Sequence, residues 1–195
     1  MYMKKFIYVM AISALAFQAC NGGNKDAKES ADSLNMAKDT TTNAAATGGI
    51  AVEEADAKFT TEAAVGGMAE VELGKMALEK SSNPQVKEFA TMMVKDHGMA
   101  NTELMAIAKQ KNITLPSTVD DEHKKKMEDL SKKTGTDFDK AYVSAMVDGH
   151  KSTLKLMEDE SKDGKDADLK AFATKTAPIV QSHLQMINKI NDSMK

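Results

Sequence analysis

Glu70, His97, His150 and His183 are the residues whose types and places could support chemistry. Each histidine falls on an apolar stripe built from three- and four-residue steps. The stripes are Val86, Phe89, Met93, His97, Ala100, Leu104 and Ile107; then Phe138, Tyr142, Met146, His150, Leu154 and Met157; then Leu169, Phe172, Thr176, Ile179 or Val180, His183, Ile187 and Ile190. Such spacing marks one face of a helix. Glu70 borders a fourth stripe of Phe59, Ala63, Gly66, Ala69, Leu73 and Met76. All four polar residues lie near the midpoints of their stretches. In a bundle of similar-length helices the midpoints share a layer whichever way each helix runs, so one carboxylate and three imidazoles are expected to converge.

Two readings of that layer stand side by side. Three histidines with Glu70, or with Glu72 two residues on, make a first shell for a single Zn, Fe or Cu ion. The same residues also make a hydrogen-bonded polar layer that fixes helix register, with Tyr142, Thr153, Thr176 and the carbonyl freed by Pro178 as partners. A ferritin-type di-iron site would need Glu-x-x-His on two helices. Val94 and Val180 occupy the positions three before His97 and His183, so that chemistry is not expected. Ser182 adjoins His183, but sequence neighbours on a helix point apart. No glycine-rich phosphate loop is present. With no recognisable catalytic set, a non-enzymatic role leads. The methionines follow the core period and read as filler. Asp96 is expected to face outward or partly outward, and His123, among Asp, Glu and Lys, toward solvent.

The elements that must position the layer are four long helices, at about 56–80, 84–111, 137–162 and 166 to near the C-terminus. Ser82-Asn83-Pro84 is a break-and-restart signal, with a cap before a first-turn proline. Gly66, Gly67 and Gly74 each cost about 1 kcal/mol against Ala in a helix, and are expected where another helix comes close. Pro178 should kink the last helix. Lys87-Glu-Phe-Ala-Thr91 and Lys170-Ala-Phe-Ala-Thr174 form a weak repeat, each followed by a histidine. The long connection, 112–135, lies between two hairpins and carries a short helix after Pro116. A four-helix bundle with one such crossover is an all-α, ferritin-like topology. A helix of 26 residues is about 39 Å long, a distance this connection can cover.

The N-terminal residues carry an address. Lys4 and Lys5 precede an apolar run from Phe6 to Phe17, too short for a standard span but suited to a signal peptide. Cys20, the one cysteine of the chain, follows at the place where a bacterial lipobox puts its lipidated residue, although Phe17 and Gln18 depart from the commonest pattern. Residues 1–20 therefore read as a lipoprotein signal, and 21–55 as a disordered tether with room for a short helix around 29–38 that would bury little. Residues 56–195 form the folded domain. The expected partner is a membrane, reached through acyl chains on Cys20, with a further protein or envelope partner open. The net charge is −3, and all 26 basic residues are Lys. With no Arg and no basic patch, nucleic-acid binding is not expected.

Several segments together resemble the family of unknown function numbered 4142, whose members are labelled predicted outer membrane proteins. They are Met68-Ala-Glu-Val-Glu-Leu-Gly-Lys75, Phe89-Ala-Thr-Met-Met-Val-Lys-Asp-His97, Ile113-Thr-Leu-Pro116, Phe138-Asp-Lys-Ala-Tyr142 with His150, and Pro178 with His183-Leu184. The resemblance covers about 57–190. It implies a ferritin-like four-helix bundle exported to the bacterial envelope, and brings no activity. The sequence thus supports an exported envelope lipoprotein with a binding or structural bundle, and alternatively a mononuclear metal-binding protein.

Overall fold

The structure is a computed structural model that describes residues 25–38, 49 and 52–195. Cys20 and the signal segment lie outside the described residues. Among those described, helices account for all the regular structure. They are α1 (Ala27–Lys38), α2 (Glu54–Lys80), α3 (84–110), α4 (Asp121–Ser131), α5 (Gly135–Asp163) and α6 (Ala167–Ser193). No helix among these residues is long and apolar enough to cross a membrane.

Helices α3, α4 and α6 begin where side chains satisfy the orphan N–H groups of a first turn. Asn83 Oδ1 accepts from Gln85 N at 2.9 Å, with Pro84 in the first position of α3. Asp120 Oδ1 accepts from His123 N at 2.8 Å to start α4, and Asp166 Oδ1 accepts from Asp168 N and Leu169 N, each at 3.1 Å, to start α6. The α3 helix ends at Gln110, six residues before Pro116, because Asn112 adopts a left-handed φ of 56°. Asn tolerates that conformation better than most residues. Helix α6 runs through Pro178 without ending.

The core comes in two apolar clusters, and their membership fixes the topology. One holds Leu73 and Ala77 of α2, Val86 to Met93 of α3, Phe138 to Val147 of α5, and Ile187 and Ile190 of α6. The other holds Ala57 to Ala64 of α2, Leu104 and Ala108 of α3, Met157 of α5, and Leu169 to Ala173 of α6. Hence α2 and α3 are antiparallel, as are α5 and α6, while α3 and α5 run the same way. A parallel pair needs a connection as long as the bundle, and 111–134, with α4 inside it, supplies one. The four-helix, long-crossover architecture expected from connection lengths is the one observed. Glu70, His97, His150 and His183 fall between the two clusters on every helix. Gly74 of α2 faces Ala90 and Met93 so closely that a Cβ would crowd both, as expected for a site of close helix approach.

Residues 21–55, expected as a disordered tether, contain α1, and α1 is docked. Ala31 and Asn35 are buried. Asn35 donates from Nδ2 to Thr114 O at 3.0 Å and accepts at Oδ1 from Thr114 N at 2.7 Å. Thr61 of α2 donates to Asp32 at 2.6 Å, and Lys38 reaches Thr114 Oγ1 at 2.6 Å. The segment has too little apolar period to announce a packed helix, and polar side chains bonded to the crossover backbone supply what apolar area does not. Asn35→Ala should destabilise the domain by about 1–3 kcal/mol, because it leaves both Thr114 backbone groups unpaired in a part-buried setting. A urea titration of parent and variant would measure this, and unchanged midpoints would mean that α1 adds nothing.

Candidate metal centre

Each histidine ring holds one nitrogen against an oxygen acceptor. His97 Nδ1 lies 2.8 Å from Glu70 Oε2. His150 Nδ1 lies 2.8 Å from the Met146 carbonyl, one turn back on its own helix, and 3.6 Å from Glu70 Oε1. His183 Nε2 lies 3.0 Å from Asp96 Oδ2. A carbonyl or carboxylate can only accept, so it draws the ring proton to the nitrogen facing it. In a neutral ring the other nitrogen then carries a lone pair. Those other nitrogens, His97 Nε2, His150 Nε2 and His183 Nδ1, are buried and have no hydrogen-bond partner.

The three rings meet. Their centroids are 5.5 Å apart for His97 and His150, 5.3 Å for His97 and His183, and 5.6 Å for His150 and His183. One nitrogen from each ring lies within 4.8 Å of those of the other two. A triangle with 4.8 Å sides has its centre about 2.8 Å from each corner, against about 2.0–2.1 Å for a Zn–N bond. Phe89 stands over the site, its ring 5.7 Å from His150 and 6.4 Å from His183.

Electrostatics divide the rings. Burial alone would raise the Glu70 carboxyl, but the charge and contact of His97, with His150 and the Thr153 hydroxyl, hold it at about 2. Burial would also push His97 down, yet the Glu70 carboxylate prevails and raises it. His150 is lowered by burial despite Glu70, and His183 by burial and the charge of His97. Two rings are thus held neutral, while the third competes for a proton through its carboxylate.

The structure brings together Glu70, His97, His150 and His183. It leaves Glu72 outside, exposed and paired with Lys75 at 2.7 Å. Two residues of helix are about 200° of rotation, so the two glutamates cannot share a face. Glu70 sits behind His97 and His150 and holds them in place. The partners expected for a purely hydrogen-bonded layer do not take that role. Thr153 donates to Glu70 at 3.3 Å, and the Tyr142 hydroxyl is buried without a partner. His123, expected toward solvent, is part-buried against Asp120, 2.6 Å away.

Asp96 is the participant that sequence spacing missed. An α-helical wheel places it about 100° from His97. Residues Met93–His97 instead form a π-turn, a wider turn that often occurs at functional sites. It lets Asp96 and His97, adjacent in sequence, both serve the layer. No residue type marks such a turn in advance.

Fold and site together define a helical-bundle protein with an inner histidine triad. The chain belongs to DUF4142, a domain of unknown function whose family model matches residues 39–190. No curated protein matches it in sequence. Two solved structures share its fold. The DUF305 fragment from Deinococcus radiodurans aligns with a TM-score of 0.65 at 10% identity, over 73% of this chain and 98% of that one. CopM in the Cu(II)-bound form aligns with a TM-score of 0.62 at 13% identity, over 72% of this chain and 97% of that one.

Proposed function

We propose that this protein binds a single transition-metal ion through His97, His150 and His183, and does so at the cell envelope. The observation that carries the reading is the set of three buried rings that offer ligand nitrogens within 4.8 Å of one another, each ring with one nitrogen against an oxygen and the other without a partner. Metal-binding histidines characteristically have that second hydrogen bond, which orients the ring and raises its basicity. A purely structural layer would satisfy both nitrogens of each ring, since an unmade buried hydrogen bond costs about 1–3 kcal/mol. Glu70, the Met146 carbonyl and Asp96 are the outer supports.

Three imidazoles leave at least one coordination position open, as in sites that exchange or present a metal rather than lock it in. Imidazole donors suit Cu, Zn, Fe and Ni, and among divalent ions copper binds such sets most tightly. CopM, a neighbour in fold, was solved with Cu(II), which supports copper first and zinc second. Elemental analysis of the purified chain, with melting curves at excess Cu(II) or Zn(II), tests the assignment. Absence of bound metal and an unmoved melting temperature would defeat it.

Lys4, Lys5, the apolar run and Cys20 support the envelope reading. Acyl chains on Cys20 would anchor the domain to a membrane, with the bundle in the periplasm or at the surface. Cys20→Ala should move the protein from the membrane to the soluble fraction. An unchanged partition would refute the lipid anchor.

A further inference from the structure

We propose that the metal ion reaches the histidine layer through a groove between α2 and α5, received at its mouth by His123 and passed inward at Glu70. This rests on the metal-binding reading above. A groove of about 810 Å³ runs between the two helices, with α1 and α4 at its rim. Its lining includes Glu70, Met146 and Thr153. Glu70 contacts His97 and His150, the Met146 carbonyl holds His150, and Thr153 bonds Glu70. The groove therefore ends on the groups that orient two of the three ligands.

Glu70 is only 4% exposed; its Oε2 faces His97 Nδ1 at 2.8 Å, while its Oε1 lies on the groove side, bonded by Thr153. It is a carboxylate between open groove and imidazoles, able to hold a cation in transit. Small residues keep the way to it clear. At Gly149 an added Cβ would meet only Glu70 Oε1, at 4.0 Å, so the bare backbone leaves space beside the carboxylate.

Charge and chemistry at the mouth agree. The lining carries six carboxylates, Glu70 included, against three ammonium groups, a balance that concentrates cations. His123 is part of this lining. Its Nδ1 faces Asp120 Oδ1 at 2.6 Å, which leaves Nε2 as the donor atom toward a metal. This is the carboxylate-oriented imidazole of the inner layer, repeated at the surface. All four histidines of the chain thus have one ring nitrogen against an oxygen.

Stopped-flow loading of the purified full chain with Cu(II), and its removal by a chelator, test the route. His123→Ala should slow loading about tenfold and leave the equilibrium affinity unchanged. Gly149→Leu, which plugs the groove, should slow loading and release by the same factor. Gly98→Ala, outside the groove, should change neither rate. Raised ionic strength should slow loading of the parent and of His123→Ala alike, because the groove carboxylates remain in both. Should Gly149→Leu fail to fold, His123→Ala at a surface site still decides. Parental rates in both variants would overturn the route while leaving the metal site standing. A parent chain that binds no Cu(II) would remove the site and the route together.

Discussion

His150→Leu is expected to abolish metal-dependent stabilisation while leaving the metal-free domain about as stable as the parent. His150 is fully buried, its Nε2 has no partner, and Phe89 and Met146 surround it with apolar area. Exchanging the ring for Leu discards an unsatisfied polar atom, worth about 1–3 kcal/mol, against an imperfect fit of similar size. The one hydrogen bond lost runs to a carbonyl of the same helix. The metal-bound state behaves differently. An ion at 100 times its Kd stabilises the parent by about 2.7 kcal/mol, a rise in Tm of roughly 5–10 °C for a domain of this size. With one of three ligands gone, affinity should fall by more than the 10–100-fold typical of an outer-shell loss, and the rise should vanish at the same metal concentration. Melting curves with and without Cu(II) measure both halves. A retained rise would exclude His150 as a ligand. A metal-free variant weakened by several kcal/mol would make the ring a structural element.

Glu70→Gln should destabilise the metal-free domain strongly, and most within a defined pH window. Removing one partner of a buried ion pair typically costs about 3–5 kcal/mol. The Glu70 carboxyl is held at about 2 against an ordinary 4.5. Because that value is lowered on folding, its stabilisation is complete above pH 4.5 and is lost as pH falls toward 2, about 3 kcal/mol in all. His97 is shifted the other way. Its share is complete below its ordinary value of 6.5 and is lost as pH rises through the raised one. The difference between parent and variant should therefore peak between about pH 4.5 and 6.5 and shrink on either side. His150 and His183, both lowered, add a separate trend common to both proteins: stability falls as pH drops below 6.5. Denaturant titrations across this range would show the window. A difference independent of pH would mean that Glu70 acts through packing rather than charge.

Helical periodicity made much of this fold readable. Apolar residues at three- and four-residue steps mark a buried face whatever that face packs against, so the four long helices were legible locally. The parallel relation of α3 and α5 followed from the length of the connection that joins them. The docking of α1 was not legible, because it depends on Asn35 and Asp32 meeting Thr114 and Thr61. Those partners are distant in the chain, and no periodic pattern encodes them. Asp96 was missed because a single π-turn changes which residues share a face.

By itself, then, the sequence determined that three histidines and one glutamate occupy the middle of an all-helical bundle, because helix period and length set depth along each axis. It left open whether they form a hydrogen-bonded layer or a ligand set. Only the tertiary structure decided how the rings face. Orientation about a helix axis depends on packing, on the π-turn, and on which nitrogen finds an oxygen. Glu70, the Met146 carbonyl and Asp96 each take one nitrogen, and the remaining three are left without partners in the core.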